Sequence, residues 1–401
     1  MINRELYMER IRKLIDTPVV KVITGMRRCG KSTILKMIQN ELFDRGITEE
    51  QVLYINFESM SNSKMTDHEE LYKYVIDVAK KSAKKIYILL DEIQSVESWE
   101  YAVTSFMTDL DCDIFITGSN AKLLSGELAT HIAGRYITIE IYPLNFREYL
   151  EFGNSKDVKT SFTRFLKEGG LPGLFQMPDD AEIRRQYVRD IYNTIILKDV
   201  VQRSNLRNSE MLDRVIRYVM DNIGNTFSAK SISDYVRSQG RTLSNDSVHS
   251  FLQALENAFI IRRCSRFDIK GKAFLKTQEK YFMTDLGIRH SLIGYKDDDI
   301  SGLLENIVCM ELLTRNYTLT IGKTGDKEID FIAEKNGERS YVQVCYLLTD
   351  DNVIEREFSP LENIKDNYPK TVLTLDDTPE YSRNGVRKLN LINFLLGAEI
   401  K

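Results

Sequence analysis

Residues 25–33 read Gly-Met-Arg-Arg-Cys-Gly-Lys-Ser-Thr and directly follow an apolar run, Val19-Val-Lys-Val-Ile-Thr24. They fit the pattern G-x-x-x-x-G-K-[ST] of a phosphate-binding loop, in the strand–loop–helix context that this motif requires. The two glycines permit backbone conformations in which successive N–H groups converge on a phosphate, and the helix that follows directs its positive end at the anion. The stretch predicts an α/β domain with a parallel sheet covered by helices and a site for ATP or GTP.

Each part of this loop has an expected contact with the nucleotide. We expect Lys31 to reach the β- and γ-phosphates and the hydroxyl of Ser32 to join the coordination shell of Mg²⁺. The alternative, an ordinary turn that contains glycine, does not account for the full motif in this context. The predicted cofactors are ATP and Mg²⁺, and the predicted nucleotide-binding residues are Gly25, Met26, Arg27, Arg28, Cys29, Gly30, Lys31, Ser32 and Thr33.

A pair of acidic residues forms the second motif. The run Ile86-Tyr-Ile-Leu-Leu90 is unbroken and apolar, as is typical of a strand buried on both faces of a parallel sheet, and it ends at Asp91 and Glu92. Carboxylates at this end emerge in the crevice where open α/β sheets bind ligands. Asp91 is placed to hold Mg²⁺, directly or through water, and Glu92 to orient and deprotonate the attacking water. The pair favours an ATP hydrolase over a nucleotide kinase or a small GTPase.

Two further candidates lie after a third predicted strand, Cys112–Thr117. Ser119 or Asn120 is expected to contact the γ-phosphate or the attacking water, although Gly-Ser-Asn is also an ordinary turn sequence. Arg135 is a candidate to neutralise charge on the γ-phosphate, from its own subunit or from a neighbouring one. The alternative for Arg135 is a surface arginine on a loop.

Several sequences along the chain occur together and in the same order in one family. They are Gly-Met-Arg-Arg-Cys-Gly-Lys-Ser-Thr, Leu-Leu-Asp-Glu-Ile-Gln, Ile-Thr-Gly-Ser-Asn, Gly-Arg-Tyr, Tyr-Pro-Leu-Asn-Phe-Arg-Glu-Tyr and Gly-Gly-Leu-Pro-Gly. The chain resembles the prokaryotic AAA-type ATPases that pair an ATPase core with a C-terminal domain of unknown function, DUF4143. The resemblance covers nearly the whole chain and implies an ATPase core followed by a C-terminal domain with a restriction-nuclease-like fold.

The composition limits the class of protein. The chain has 401 residues, 42% hydrophobic and 28% charged, which is ordinary for globular proteins. Its net charge of −4 argues against a uniformly basic surface, so any contact with nucleic acid requires a local basic patch. No stretch approaches 18 apolar residues, so we expect no membrane partner. The five scattered cysteines indicate reduced thiols in the cytoplasm.

The order of the patterns predicts four regions. Residues 1–150 are expected to form the ATPase core and residues 151–225 a helical lid region. Residues 226–295 are expected to form a winged-helix-like domain, and the resemblance implies a small α/β nuclease-like domain without activity over residues 296–401.

The winged-helix prediction depends on the order of two helices and two strands. Ser228–Gly240 and Val248–Asn257 have helical spacing, and two β-like runs follow them. Such a module could place its second helix in the major groove of DNA and its hairpin on phosphates. The alternative is a structural or protein-contacting lid. The local basic excess comes from Arg237, Arg241, Arg262, Arg263, Arg266, Lys270, Lys272 and Lys276, with Phe267 and Phe274 among them.

The resemblance also implies the layout of a nuclease centre near the end of the chain, with Glu305 on a helix, then Asp330, then Gln343-Val-Cys345. Active members of that fold carry Asp and then Glu-x-Lys, where two carboxylates hold a metal ion and the lysine supports the attacking water. Gln343 replaces a carboxylate and Cys345 replaces the lysine, so we predict the fold without nuclease activity. Glu328, two residues from Asp330 on the same strand face, is an alternative metal ligand.

These features predict Mg²⁺-dependent ATP binding and hydrolysis, coupled to conformational change at DNA. Two alternatives use the same loop: a signalling-type nucleotide switch that docks protein partners, and an ATP-regulated nuclease. A homo-oligomer is also expected if Arg135 acts on a neighbouring subunit.

Overall fold

The computed structural model describes residues 2–82, 84–121, 132, 134–202 and 209–400. Its internal contacts divide the chain into two compact units. The first comprises Met1–Ile141 with Asn257–Phe259, and the second comprises Tyr142–Glu256 with Ile260–Lys401. No helix in the described part of the chain has the length and apolar character needed to span a membrane.

The first unit alternates strands and helices, as the sequence predicts. Its strands are β1 Val20–Thr24, β2 Val52–Asn56, β3 Ile86–Asp91, β4 Cys112–Gly118 and β5 Tyr136–Glu140. Its helices are α1 Glu5–Arg12, α2 Lys31–Asp44, α3 His68–Ala79 and α4 Trp99–Asp109. Short 3₁₀ turns lie at Glu49–Gln51, Met60–Asn62 and Ile93–Ser95.

These strands form a parallel sheet in the order β2-β3-β4-β1-β5. Every residue of β1 and β3 is buried, which explains why both read as apolar runs. Helices α3 and α4 pack on the sheet through Leu71, Val75, Val103 and Phe106. The predicted fold class, a parallel sheet flanked by helices, is confirmed. Because β4 lies between β1 and β3, the two nucleotide-site motifs sit on strands that are not neighbours.

The second unit contains more helices and a larger sheet. Its helices are α5 Phe146–Gly153, α6 Val158–Glu168, α7 Ala181–Ile195 (which continues as a π-helix, Ile196–Gln202), α8 Ser209–Asp221, α9 Ala229–Ser238, α10 Asn245–Asn257, α11 Leu286–Ile293, α12 Ile300–Thr314, α13 Asp351–Glu362 and α14 Leu391–Leu395. Short 3₁₀ turns lie at Pro172–Gln176 and Asp297–Asp299. Its strands are β6 Thr226–Phe227, β7 Ile261–Asp268, β8 Ala273–Met283, β9 Thr318–Thr324, β10 Lys327–Lys335, β11 Glu338–Cys345, β12 Lys370–Thr374, β13 Tyr381–Arg383 and β14 Val386–Asn390.

All of these strands join one mixed sheet in the order β13-β14-β12-β11-β10-β9-β7-β8-β6. The predicted helix, helix and hairpin order is present in α9, α10, β7 and β8. The other edge of β7, however, pairs in parallel with β9 through Arg266 and Ile321. The predicted division at residues 295/296 therefore cuts through a continuous sheet, and residues 226–295 and 296–401 are not separate compact domains. The first compact unit also ends at Ile141 and not at residue 150.

The Gly-Gly-Leu-Pro-Gly sequence at residues 169–173 is explained by close packing within the second unit. Gly169 ends α6 with φ +81°, and a Cβ there would lie 2.3 Å from Oδ1 of Asp285. Asp285 accepts hydrogen bonds from the backbone N–H of Gly170 at 2.7 Å and of Ile288 at 3.2 Å. The latter caps α11. Burial raises the pKa of Asp285 to about 6, against the opposing effect of these hydrogen bonds.

Candidate nucleotide-binding site

The predicted phosphate loop joins the carboxyl end of β1 to the start of α2. Gly25 has φ +144°, and a Cβ there would lie 2.1 Å from the carbonyl oxygen of Ile141, so no side chain fits. Gly30 has φ +107° immediately before the first residue of α2. Arg28, between them, also takes a positive φ of 68°. This backbone gives the loop the sharp turns that direct N–H groups toward a common point in front of the helix.

A side chain outside the motif, that of Arg4, holds the loop in place. Nη1 of Arg4 donates to the carbonyl oxygen of Cys29 at 2.9 Å, and Arg4 itself is fully buried. The side chains of Met26 and Cys29 are also fully buried, and burial raises the pKa of the Cys29 thiol. These two residues can therefore contribute only backbone groups to a nucleotide. Sequence reasoning missed Arg4 because no motif links it to the loop.

Lys31 and Glu92 lie together at the carboxyl edge of the sheet. Nζ of Lys31 is 3.4 Å from Oε1 of Glu92 and donates to the carbonyl oxygen of Met26 at 3.2 Å. Both side chains are largely buried. Burial by itself would raise the pKa of Glu92, but the charge of Lys31 and a hydrogen bond from Gln94 outweigh it, so the pKa is lowered from its ordinary value. The carboxylate is therefore ionised at neutral pH and able to accept a proton.

Asp91 is fully buried and held by two hydroxyl groups. Its Oδ1 accepts a hydrogen bond from Thr117 on β4 at 2.7 Å, and its Oδ2 accepts one from Tyr54 on β2 at 2.9 Å. The hydroxyl of Thr117 also accepts from the backbone N–H of Glu92 at 2.9 Å. Burial, followed by the charge of Asp91, raises the pKa of Tyr54. Thr117 could have been found as a polar residue at the end of an apolar strand, whereas no pattern in the sequence indicates Tyr54.

The structure brings Ser119 to the same group of residues. The side chain of Ser119 is fully buried and hydrogen-bonds to Glu92, which favours the ionised form of that carboxylate. Asn120 is also buried. Glu92 takes a positive φ of 58°, which turns it away from the direction of β3 toward the loop. Lys31, Asp91, Glu92 and Ser119 thus lie at one edge of the sheet, as their places at strand ends predict.

Arg135 lies at the amino-terminal ends of the strands, whereas the phosphate loop lies at their carboxyl ends. Its carbonyl oxygen accepts a hydrogen bond from Val20 at 2.9 Å, at the amino end of β1, whereas the phosphate loop begins at the carboxyl end. A strand rises about 3.3 Å per residue, so the length of β1 separates the two by roughly 16 Å. This arrangement does not favour action of Arg135 on the loop of its own subunit. Residues 122–131 and 133, which precede it, lie outside the described residues.

The basic residues of the predicted DNA-binding segment contact other parts of the chain. Each of five arginines has a partner: Arg237 with Asp234, Arg241 with Glu210, Arg262 over the ring of Tyr142, Arg263 with Glu256 and Glu279, and Arg266 with Gln278. Lys270 and Lys272 are exposed at the turn between β7 and β8, close to the exposed ring of Phe274. The side chain of Lys276 lies outside the described part of the chain. The local basic patch is therefore smaller than the sequence predicts.

The residues of the predicted nuclease-like centre do come together. Glu305 on α12, Asp330 on β10, and Gln343 and Cys345 on β11 line one cavity of about 350 Å³. Gln343 accepts from the backbone N–H of Asp330 at 3.3 Å. Lys280, which the sequence did not connect with this centre, lies against its carboxylates.

Family models match two parts of the chain. A model of an AAA domain matches residues 17–150, and a model of a domain of unknown function, DUF8612, matches residues 159–299. The fold, the site and the first match define an AAA-type ATPase domain. The second match is not to DUF4143, which the sequence resemblance indicated, and it falls on the predicted helical and winged-helix-like regions rather than on residues 300–401.

Two relatives extend over nearly the whole chain. An uncharacterized protein of Haemophilus influenzae is 38% identical and aligns with 99% of both sequences. An uncharacterized protein of Methanocaldococcus jannaschii is 32% identical over 94% of this chain and 86% of its own. The chain belongs to the same family as these two proteins. Among solved structures, a Walker-type ATPase of Pyrococcus abyssi is 14% identical with a TM-score of 0.49, over 72% of this chain and 95% of that chain.

Proposed function

We propose that this protein binds Mg²⁺·ATP on the loop of residues 25–33 and hydrolyses it to drive a conformational change. One observation carries the proposal: a buried lysine and two buried carboxylates lie together at the phosphate loop. This loop turns at two glycines and leads into the N-terminus of a helix. Lys31 and Glu92 are 3.4 Å apart, and Asp91 directly precedes Glu92. Lys31 holds the β- and γ-phosphates, and the backbone N–H groups of the loop bind the same oxygens.

The oxygen groups at the site suit Mg²⁺. Ser32 supplies a hydroxyl and Asp91 a carboxylate, and Mg²⁺ prefers oxygen ligands and keeps several of its waters. Both oxygens of Asp91 already accept a hydrogen bond, from Thr117 and Tyr54, so we infer that Asp91 holds the ion through a water molecule. The bound ion would neutralise charge that develops on the phosphate oxygens.

Glu92 is proposed as the general base, and Ser119 as the group that orients it. A hydrogen bond from Ser119 and the charge of Lys31 keep Glu92 ionised in a buried setting. The hydroxyl of Thr117 contacts both the backbone of Glu92 and the side chain of Asp91, so it holds the two acidic residues in a constant position relative to each other. When Lys31 turns to a phosphate, Glu92 is released to accept the proton of the attacking water.

Arg135 is proposed to act on the nucleotide of a neighbouring subunit. The strand register supports this choice, because β1 separates Arg135 from the loop of its own chain. A site completed by a second copy would make hydrolysis depend on a homo-oligomer.

Contact with DNA is proposed at the turn between β7 and β8. The exposed Lys270, Lys272 and Phe274 at the hairpin turn are suited to a phosphate backbone and a base, respectively. The arginines on which the prediction relied are occupied by contacts within the chain. The experiment therefore compares the ATPase rate in the presence and absence of DNA.

The deciding measurement is the ATPase rate of the full-length protein, with and without Mg²⁺ and with duplex or single-stranded DNA. We expect turnover that requires Mg²⁺ and is lost on Lys31→Ala. Stimulation by DNA supports a remodelling role, whereas tight nucleotide binding, slow turnover and no response to DNA support the alternative of a signalling switch. No ATP binding in the presence of Mg²⁺ would refute the proposal as a whole.

A further inference from the structure

Three carboxylates surround one lysine in the second unit. Nζ of Lys280, on β8, is 2.8 Å from Oε2 of Glu305 on α12 and 2.7 Å from Oε1 of Glu328 on β10. Oδ1 of Asp330, also on β10, lies 3.6 Å away. We call this group the Lys280 centre. The sequence indicates the three carboxylates as candidate metal ligands, but it does not connect Lys280 with them, because the lysine lies on a strand distant in sequence.

The ammonium group of Lys280 is enclosed, with a side chain that is 3% exposed. Burial by itself would lower the pKa of Lys280, but the charges of Asp330, Glu305 and Glu328 outweigh burial and raise it, so the lysine is charged. Burial also raises the pKa values of Glu305 and Asp330. Three carboxylates around one ammonium carry more negative than positive charge when ionised. An ion of charge +2 would compensate them more completely than Lys280 does.

Asp330 is fixed in its direction toward the centre. Its Oδ2 accepts a hydrogen bond from the backbone N–H of Val344 at 2.8 Å. The pairing of β9 with β10 shifts register between Ile329 and Ile332, and such bulges redirect the side chains at that point. The position of the Asp330 carboxylate is therefore set by the backbone of β10 and β11.

The centre is next to an open path. The cavity of about 350 Å³ has Glu305 and Asp330 in its wall, together with Gln343, Arg356 and Glu357. A hydrated ion can reach two of the three carboxylates through it.

We propose that the ammonium of Lys280 is a built-in cation that takes the place of a divalent metal ion, and that the Lys280 centre is a latent site for Mg²⁺ or Mn²⁺. In the described residues, no group of three or more His, Cys, Asp or Glu side chains is arranged to hold a metal ion. The lysine explains this, because N–H···O contacts of 2.7–2.8 Å hold the oxygens farther apart than Mg²⁺–oxygen bonds of about 2.1 Å. Once the lysine is removed, Glu305 and Glu328 would need to move inward by roughly 0.6 Å, and Asp330, which lies 3.6 Å from Nζ, by roughly 1.5 Å.

The test is a Mn²⁺ titration of the full-length protein without nucleotide. The wild type and the control Lys335→Met, which removes an exposed lysine at the end of β10, are expected to bind no Mn²⁺ at this centre. Lys280→Met is expected to gain one site, at least about tenfold tighter than any site of the wild type, and to gain about 5 °C or more in Tm with millimolar Mn²⁺. Adding Asp330→Asn to Lys280→Met should abolish both effects.

Two results would overturn the proposal. One is Mn²⁺ binding by the wild type that Asp330→Asn removes, because Lys280 then does not occupy the place of the ion. The other is Lys280→Met protein that folds but gains no site. If Lys280→Met does not fold in metal-free buffer, refolding is repeated with Mn²⁺: recovery supports the proposal, and failure overturns it. These outcomes are independent of the ATPase activity.

Discussion

Replacement of Glu92 by glutamine tests the assignment of the general base. The substitution keeps the size of the side chain and removes the carboxylate that lies 3.4 Å from Nζ of Lys31. At an effective dielectric constant of about 20, that ion pair is worth about 5 kcal/mol before the cost of burial is subtracted. Lys31 loses this partner in the variant, so the phosphates of ATP no longer compete with Glu92 for the ammonium.

Two opposite effects are therefore expected from Glu92→Gln. ATP should bind as tightly as to the wild type or more tightly. Hydrolysis should slow by about 10²–10⁴-fold, equivalent to about 3–5 kcal/mol of activation free energy, because a neutral amide cannot accept the proton. The two quantities are measured separately, ATP affinity by calorimetry and the chemical step by single-turnover kinetics.

A matched control is Glu97→Gln, since Glu97 is exposed and lies close in sequence to Glu92. It should leave both quantities unchanged. A Glu92→Gln protein that hydrolyses ATP at the wild-type rate would refute the assignment of the base. Loss of ATP affinity in parallel with the rate would instead show that Glu92 is required to shape the loop.

Four further predictions follow from the same structure. Lys31→Ala should weaken ATP binding at least about tenfold in calorimetry, because the charge that holds the phosphates is lost; unchanged affinity would contradict its role. Arg135→Ala should abolish turnover with ATP affinity nearly intact, and mixing it with Lys31→Ala should restore part of the ATPase rate; no recovery would argue against action between subunits. Asp285→Asn should destabilise the protein by about 1–3 kcal/mol in urea unfolding, because Gly170 N–H loses an acceptor. Since the folded pKa of Asp285, about 6, is above its unfolded value of 3.8, its stabilising effect is lost as pH rises, so the difference from wild type should narrow by about 1.4 kcal/mol between about pH 5 and 7.5; a constant difference would refute this. Wild-type protein should not cleave linear or circular DNA with Mg²⁺ or Mn²⁺ and ATP, and degradation that disappears in Asp330→Ala would restore the nuclease alternative.

Local patterns in the sequence were enough to predict the first sheet and which residues lie together at the carboxyl ends of its strands. The apolar runs before Gly25, Asp91 and Gly118 predict buried parallel strands, and the strands end at Thr24, Asp91 and Gly118. In a parallel sheet the carboxyl ends of strands meet at one edge, so residues at those ends are brought together whatever the order of the strands. This is why Lys31 and Glu92 could be paired from the sequence.

The partners of those residues depended on the order of the strands. Thr117 contacts Asp91 because β4 lies beside β3, and Tyr54 contacts it because β2 lies on the other side. Arg135 is at the wrong edge for its own loop because β5 runs parallel to β1 and begins beside Val20. Strand order is set by packing across the whole sheet, and period and composition within one strand do not encode it.

The second unit shows the same limit more strongly. Helical and β-like spacing predicted α9, α10 and the hairpin, but pairing of β7 with β9 joined that hairpin to strands the sequence assigned to another domain. That pairing belongs to the sheet that carries both Lys280 and Asp330, which places the lysine of β8 in a buried charge cluster with carboxylates of α12 and β10. The sequence by itself was enough to locate the phosphate loop and the acidic pair, because each of these motifs consists of residues that are consecutive in the chain. Only the tertiary structure decided which cation faces the carboxylates of Glu305, Glu328 and Asp330, since hydrogen bonding between distant strands selects that neighbour.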